Sequence, residues 1–258
     1  MKDIKIIFFD IDGTLIALDR DNISKKTQIA LNKLKDKGIK IAIATGRGTV
    51  QIPKFDGVDF TTYLSFNGSL CTDHGEDIHT NPIGKDDLYR LMENAKDMDK
   101  PLSLAGKDFF VTNYLDEDLE QYYSFGSAMP DLVDDLRYFI ENKNIYQTYM
   151  SLRESEYERA LEGTKDIKIA AWWDRAVDII PKTAGKGRAI EKVLDYYGFR
   201  KDQALAFGDG NNDIEMFEKI RGIAMANASE DLKDLAYDTC KSVDEDGIYH
   251  YLKDKELI

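Results

Sequence analysis

Short apolar runs alternate with helix-like segments at both ends of this chain. Near the N-terminus, apolar runs at 4–9, 39–44 and 63–66 enclose a helical pattern over 24–37, with Ser24 as its N-cap. The later alternation predicts a helix over 186–197, a strand over 204–207, a helix over 213–220, a strand over 223–226 and a helix over 230–236. Near-continuous apolar strands separated by helices favour a parallel sheet covered on both faces. We therefore expect a Rossmann-like, doubly wound α/β core.

The middle of the chain has a different pattern, in which helices accompany half-buried strands. Its predicted elements are helices over 86–98, 116–125 and 154–161 and strands over 102–105, 109–113, 145–150, 167–172 and 176–180. This mixture predicts an inserted α+β domain, 83–181, within a core domain of 1–82 and 182–258. An Asn67-Gly68 pair between two apolar runs also predicts a β-hairpin that projects from the core sheet.

The composition is that of an acidic, water-soluble chain. The 258 residues are 32% charged, with 35 Lys and Arg against 48 Asp and Glu, a formal net charge of −13. A negative field disfavours nucleic-acid binding, so any bound phosphate must be neutralised locally. The sequence has no apolar run near the ~20 residues of a membrane span, no signal-peptide pattern, and only two distant cysteines, Cys71 and Cys240. We expect a cytoplasmic protein that binds neither nucleic acid nor membrane.

Two carboxylates lie two residues apart at the end of the first apolar run, in the sequence FFDIDGTL. Alternate residues leaving a strand point the same way, so Asp10 and Asp12 should face one small volume at the carboxyl edge of the sheet. Two like charges this close are unfavourable unless a cation or a phosphate chemistry uses them. The alternative is an ordinary strand-ending turn, because Asp and Gly favour turns.

A second acidic cluster, GDGNNDIEM over 208–216, follows a later apolar strand. Asp209 stands directly after that strand, as Asp10 does after the first, and this edge of an open α/β sheet is where ligands bind. Asn212 or Asp213 could instead cap the next helix. Together, Asp10, Asp12 and Asp209 offer an oxygen-rich site of the kind that suits magnesium.

Two smaller features lie at equivalent positions. Thr45 and Gly46 follow the apolar run 39–44, so the hydroxyl and the amides after it are candidates for holding phosphate oxygens, with a simple loop turn as the alternative. Lys186 stands at a helix start, against the usual preference for acidic residues there. Its position favours charge neutralisation, although a solvated surface lysine is the alternative.

Jointly, these four stretches resemble the motifs of the haloacid dehalogenase superfamily of phosphohydrolases. The first motif is Asp-Ile-Asp-Gly-Thr at 10–14, the second is Thr45, the third is Lys186 and the fourth is 208–213. An insertion between the second and third motifs and the long Gly-Asp-Gly-Asn-Asn-Asp form resemble the Cof-type, type IIB capped branch. Three further stretches look like that branch: Ser65–Gly68, Ala224–Ala228 and Asp244–Ile248.

The resemblance implies hydrolysis through an aspartyl phosphate. Asp10 would attack phosphorus, and Asp12 would protonate the leaving oxygen and then deprotonate the hydrolytic water. Magnesium would be held by the Asp10 carboxylate, the Asp12 main-chain carbonyl and Asp209. An Asp at position 12 distinguishes this pattern from receiver modules, which keep their phosphate because they lack such a base.

The resemblance also implies which residues bind the phosphoryl group. Thr45, the Gly46 amide and Lys186 would contact its remaining oxygens as charge spreads over them. Asn212 would line the phosphate pocket, and Asp213 would orient Lys186 or a metal-bound water.

Two stretches depart from the pattern of the branch. The segment Gly48–Pro53 is short and broken by proline where a longer helix is usual, so a reduced core helix is expected there. Ala226 also occupies a place where glycine is common.

The predicted cap offers few signals of specificity. Its aromatic residues are interpreted as core of the cap sheet rather than as stacking platforms for a sugar or ring: Phe109, Tyr146, Tyr149, Trp172 and Trp173. The expected partner is a small phosphorylated metabolite, most plausibly a sugar phosphate. The alternatives are a flavin, pyridoxal or nucleotide-like phosphate, a phosphomutase reaction, or a binding module with little turnover. The sequence leaves the oligomeric state open between monomer and dimer.

Overall fold

The computed structural model describes residues 3–17, 19–126 and 128–258. The chain divides into two compact units. The first comprises Met1–Gly46, Pro53–His79 and Gly185–Ile258, and the second comprises Arg47–Ile52 and Thr80–Ala184. Among the described residues, no helix has the length and apolar character needed to cross a membrane.

The N-terminal elements alternate as the apolar runs predict. They are β1 (Ile6–Phe9), α1 (Lys25–Asp36), β2 (Lys40–Ala44), β3 (Thr62–Ser65), β4 (Leu70–Asp73) and β5 (Glu76–Thr80). Helix α1 begins after Ser24, whose Oγ accepts a hydrogen bond from the Thr27 amide at 3.0 Å. It ends before Gly38, whose φ of +75° is the left-handed conformation that commonly closes a helix.

The second unit is an α+β insertion. Its elements are α2 (Lys85–Asp97), β6 (Ser103–Ala105), β7 (Phe110–Thr112), α3 (Glu117–Ser124), β8 (Asp131–Leu132), α4 (Leu136–Asn142), β9 (Gln147–Met150), α5 (Tyr157–Ala160), β10 (Ile167–Ala170) and β11 (Val177–Pro181). The strands form one sheet in the order β10-β11-β9-β6-β7-β8. Helices α2 and α4 bury Leu88, Leu91 and Ile140 in the same apolar cluster as Leu104 and Ile179 of the sheet.

The chain then returns to the first unit and completes its sheet. The remaining elements are α6 (Lys186–Tyr197), β12 (Ala204–Gly208), α7 (Ile214–Lys219), β13 (Arg221–Ala224), α8 (Glu230–Leu235), β14 (Asp238–Thr239) and α9 (Gly247–Asp254). The strand order is β14-β13-β12-β1-β2-β3-β4-β5, and the pairings from β14 to β3 are parallel. The predicted doubly wound α/β core with an inserted α+β unit is confirmed.

Strand β1 lies at the centre of this sheet and is buried on both faces. On one face, Phe8 shares an apolar cluster with Ile190 and Val193 of α6. On the other, Phe9 stacks on Phe207 with ring centroids 5.3 Å apart, and Phe207 meets the ring of Tyr251 in α9 edge-on. Helices therefore cover both faces, which explains why the central strands are almost continuously apolar.

Three local predictions need correction. The predicted hairpin forms, but it does not project: β4 pairs antiparallel with β3, is buried along its length and continues the sheet. The predicted helix over 154–161 is a 3-10 turn, Glu154–Glu156, followed by the single helical turn α5. Trp172 is 57% exposed rather than part of the cap core, because β10 ends at Ala170 and the indole lies in the following turn.

The other cap aromatics are more buried, as Tyr146 and Tyr149 show with 2% exposure each. The reduced helix after β2 is also observed, since the only regular structure described between β2 and β3 is a 3-10 turn over Thr49–Gln51. That turn belongs to the second compact unit. There, Gln51 Oε1 accepts hydrogen bonds from the Gly48 amide at 2.8 Å and from the Tyr149 hydroxyl at 2.9 Å.

Candidate active site

The parallel register brings the predicted site residues to one edge of the first unit's sheet. Phe9 is level with Ile43 of β2 and with Phe207 of β12. Asp10 therefore leaves the sheet beside the ends of the strands that carry Thr45 and Asp209. The chain turns from β1 to β2 on one side, while β12 lies on the other, and such a switch point forms a crevice at the carboxyl edge.

Lys186 forms the centre of the site. Its Nζ donates hydrogen bonds to Asp10 Oδ1 and to Asp213 Oδ1, each at 2.7 Å. The lysine side chain is fully buried, so its interpretation as a solvated surface lysine is wrong. A buried ammonium is stable only when it is paired, and these two carboxylates supply the pairing.

Asp213 also shapes the loop that carries Asp209. Its Oδ2 accepts hydrogen bonds from the amides of Asp209 at 3.0 Å and Gly210 at 3.2 Å. The carboxylate makes no capping hydrogen bond to α7, which starts immediately after it. Asp213 thus joins the fourth motif to Lys186 instead of serving as a helix cap.

Asp209 is held by residues from two other segments. Thr14 Oγ1 donates to Asp209 Oδ1 at 2.8 Å, and Asn227 Nδ2 donates both to Asp209 Oδ2 at 3.3 Å and to the Gly13 carbonyl at 2.9 Å. Gly13 has a φ of +76°, and a Cβ there would lie 2.1 Å from Asp209 Oδ2. The glycine of the first motif therefore permits a close approach that no other residue allows.

Thr14 and Asn227 were not predicted as site residues, although both lie in stretches that resemble the family's motifs. Thr14 is the last residue of the first motif, and Asn227 lies in the Ala224–Ala228 stretch. Only the resemblance of these stretches to the family pattern pointed to them. Neither side chain is charged or reactive, so the residue types alone did not indicate a role.

The site contains more negative charge than its lysine neutralises. Carboxylate oxygens of Asp10, Asp209 and Asp213 all lie within 4.8 Å of one another, beside one ammonium. Burial raises the pKa of Asp10, and the carboxylates of Asp213, Asp209 and Asp12 act in the same direction while Lys186 opposes them. Burial likewise raises the pKa of Asp209 to about 7, against the hydrogen bond from Thr14.

The surroundings of Lys186 favour its charged form. Burial alone would lower its pKa, but the attraction of Asp10 and Asp213 outweighs burial, so the pKa is raised and the side chain stays protonated. A fixed ammonium beside a crowded set of carboxylates leaves the site attractive to a further cation.

The donor set fits a hard divalent metal ion. The clustered ligands are carboxylate oxygens, which magnesium prefers, and a cation would offset the burial and the repulsion from Asp213 that raise the pKa of Asp209. Asp10 and Asp209 are the residues predicted to hold it through their side chains. Asp12 is not one of these three carboxylates, and its contribution through a main-chain carbonyl stays a prediction.

The remaining predicted residues occupy different environments. Thr45 is 1% exposed, and its amide donates to the Leu64 carbonyl at 2.8 Å, while Gly46 follows it directly. Asp12 is half-buried. Asn212 is exposed in the 3-10 turn Asn211–Asp213, where its Oδ1 lies near Gly210. The assignment of roles to these residues stays a prediction.

A buried Asp–Lys–Asp cluster at the carboxyl edge of a doubly wound parallel sheet, with an α+β unit inserted in the chain, defines a hydrolase with a Rossmann-like core. Residues 7–252 match the family model of haloacid dehalogenase-like hydrolases, and the chain belongs to that family. The resemblance drawn from the four motifs is therefore confirmed, and with it the phosphatase class.

Individual relatives extend over the whole chain. It is 32% identical over 260 residues to the putative phosphatase YkrA of Bacillus subtilis, covering 99% of each chain. It is 28% identical over 267 residues to 5-amino-6-(5-phospho-D-ribitylamino)uracil phosphatase YitU of the same organism, covering 96% of each. Among solved structures, the subclass IIB sugar phosphatase BT4131 superposes with a TM-score of 0.84 at 27% identity, over 98% of this chain and 100% of that one.

Proposed function

We propose that this protein is a magnesium-dependent phosphatase of a small phosphorylated metabolite, with a sugar phosphate as the leading substrate class. The observation that carries the proposal is the buried Lys186–Asp10 contact of 2.7 Å beside the Asp209 carboxylate. A nucleophilic carboxylate, a fixed ammonium and a second carboxylate suited to a metal ion are what phosphoryl transfer to an aspartate requires.

The chain's own residues divide the reaction into two steps. In the first, an oxygen of Asp10 bonds to phosphorus, the bond from phosphorus to the substrate oxygen breaks, and Asp12 gives that oxygen a proton. In the second, Asp12 takes a proton from water as the water oxygen bonds to phosphorus, and the bond to Asp10 breaks. Orthophosphate and the free alcohol are the products.

Other groups position Asp10 and bind the phosphoryl oxygens during these steps. Lys186 keeps one oxygen of Asp10 in position and, with Thr45 and the Gly46 amide, binds phosphoryl oxygens. Magnesium, when bound by Asp10, the Asp12 carbonyl and Asp209, supplies positive charge that keeps Asp10 ionised and offsets the charge of the phosphoryl group. Asp213 positions Lys186 and the Asp209 loop by accepting hydrogen bonds from both.

The relatives favour two related substrate classes. BT4131 is a sugar phosphatase by name, and YitU acts on a ribitylamino-uracil phosphate by name. Both names describe a phosphate carried by a polyhydroxylated carbon chain. We infer that sugar phosphates are the first class for this chain and that the phosphate of a flavin precursor is the second.

Hydrolysis of p-nitrophenyl phosphate tests the proposal. We expect p-nitrophenol release with Mg²⁺ and a loss of release when EDTA replaces it. A panel of sugar phosphates, ribityl phosphates, pyridoxal phosphate and flavin mononucleotide then ranks substrates by kcat/KM. If adequate enzyme with Mg²⁺ releases neither p-nitrophenol nor orthophosphate from the panel, the chain is a binding module and the proposal is wrong.

A further inference from the structure

The turn between β3 and β4 has an unusual backbone. Phe66, Asn67 and Gly68 are consecutive residues with positive φ, at +53°, +52° and +85°. Phe66 is fully buried, and a bulky residue in this region of φ is a genuine outlier. Such strain persists only where surrounding contacts fix the backbone, and it concentrates at functional sites.

One side of this turn contacts the segment proposed to bind phosphate. The Asn67 amide donates to the Thr45 carbonyl at 3.1 Å. The Asn67 carboxamide lies against Gly46, since a Cβ at Gly46 would be 3.1 Å from Oδ1 and 3.3 Å from Nδ2. Asn67 is 7% exposed, so this packing is enclosed. The asparagine therefore supports the phosphate-binding residues both through its main chain and through its side chain.

The other side of the turn meets the helix that carries Lys186. A Cβ at Gly68 would lie 2.6 Å from the Gly185 carbonyl oxygen and 2.7 Å from the Ala189 Cβ. Gly185 immediately precedes Lys186, so the turn is wedged between the second and third motifs. The turn therefore borders the two segments that carry the proposed phosphoryl-binding groups, Thr45–Gly46 and Lys186.

The next turn along the chain, between β4 and β5, also has a left-handed backbone and serves as a comparison. His74 has a φ of +50° and Gly75 a φ of +85°, but His74 is exposed and no atom lies within 4 Å of a Cβ at Gly75. The usual preference of hairpin turns for a left-handed backbone therefore explains the φ values of the β4–β5 turn. It does not explain why Asn67 and Gly68 pack against the neighbouring segments.

We propose that Asn67 is a positioning residue for phosphoryl binding, which it performs by holding Thr45 and Gly46 in place. This inference rests on the proposed phosphatase function. Hydrogen-bond donors stabilise a phosphoryl group best when they are fixed in advance, and a glycine segment has little side-chain packing of its own to fix it. The Asn67 carboxamide supplies that packing at Gly46.

The test separates the side chain from the backbone conformation. Asn67→Gly keeps the left-handed backbone and removes the carboxamide, whereas Asn67→Ala removes the carboxamide and also strains the backbone. His74→Gly is the matched control, because it makes the same kind of change at the other turn. The measurements are KM and kcat for p-nitrophenyl phosphate with saturating Mg²⁺, the inhibition constant of orthophosphate, and Tm.

We expect KM and the orthophosphate inhibition constant to rise about tenfold or more in both Asn67 variants, with the lower Tm in Asn67→Ala. His74→Gly should keep wild-type values of both constants. Wild-type phosphate affinity in Asn67→Gly would overturn the inference.

A direct binding measurement keeps the inference separate from the proposed function. If the wild-type protein binds orthophosphate but releases no p-nitrophenol, the proposed function is wrong. The orthophosphate-induced rise in Tm then decides the inference, which requires that rise in wild type and its loss in Asn67→Gly. A wild-type protein with no such rise and no turnover would refute both.

Discussion

The protonation of Asp209 reports on the burial of negative charge in the site. Burial raises its pKa from the ordinary value of 3.8 to about 7. Between those two pH values the native protein binds a proton that the unfolded chain has released. Without metal, the contribution of Asp209 to stability is therefore most favourable below pH 4 and declines as the pH rises to 7.

The variant Asp209→Asn removes this decline. In EDTA at pH 8, we expect its Tm to exceed that of the wild type by a few degrees, since about 1 kcal/mol corresponds to roughly 2–4 °C in a chain of this size. Thermal melts from pH 4 to pH 8 measure the effect. Added Mg²⁺ should raise the wild-type Tm and leave that of the variant nearly unchanged.

Asp238→Asn is a control of opposite sign. The hydrogen bond from Lys255 lowers the pKa of Asp238, so this carboxylate contributes stability above its ordinary pKa and loses it as the pH falls. Asp238→Asn should therefore be slightly less stable than wild type at pH 8. A Tm of Asp209→Asn at or below wild type in EDTA at pH 8 would contradict the raised pKa of Asp209.

Among the structural elements, the β3–β4 and β4–β5 turns allow a matched comparison of backbone packing. Gly68 and Gly75 have the same φ of +85°, but a Cβ at Gly68 meets the Gly185 carbonyl at 2.6 Å and a Cβ at Gly75 meets nothing within 4 Å. Substitution by alanine adds the same backbone strain at both positions. Only Gly68→Ala adds a clash with the start of α6.

Gly68→Ala should lower the free energy of unfolding by about 1–3 kcal/mol more than Gly75→Ala, the typical cost of overpacking. Because the clash displaces the residue before Lys186, kcat should also fall in Gly68→Ala and stay within twofold of wild type in Gly75→Ala. Denaturant unfolding and p-nitrophenyl phosphate turnover of both variants give the comparison. Equal stability losses would show that α6 accommodates the extra methyl group.

Strand ends were the part of the site that the sequence could predict. Asp10 and Thr45 follow apolar runs directly and Asp209 follows one after Gly208, and parallel pairing then brings the three positions to one edge. Lys186 could be placed at a helix start. Its burial between two carboxylates depends on how α6 packs against the Asp209 loop, which no local pattern encodes.

Contacts between distant segments set the limit of prediction across the whole molecule. Asn67 reads as a turn residue, and only the tertiary structure brings its carboxamide to Gly46. The strand pattern extended β10 to Trp172, whereas the chain leaves the sheet at Ala170. A strand as short as the two-residue β8 has too few residues to show the alternation of apolar and polar side chains that predicts a strand. The fold class was predictable because it depends on the long buried runs of the first unit.

At the level of the whole molecule, the proposed function requires Asp10 to be the nucleophile of a metal-dependent phosphatase. The measurement that tests this role is kcat of Asp10→Asn with saturating Mg²⁺, with Asp12→Asn as the matched variant. Because asparagine cannot form the acyl phosphate, we predict that kcat falls by roughly 10⁴-fold or more in Asp10→Asn. Loss of the general acid and base should cost about 10²–10⁴-fold in Asp12→Asn. Wild-type turnover in a folded Asp10→Asn protein would show that Asp10 is not the nucleophile.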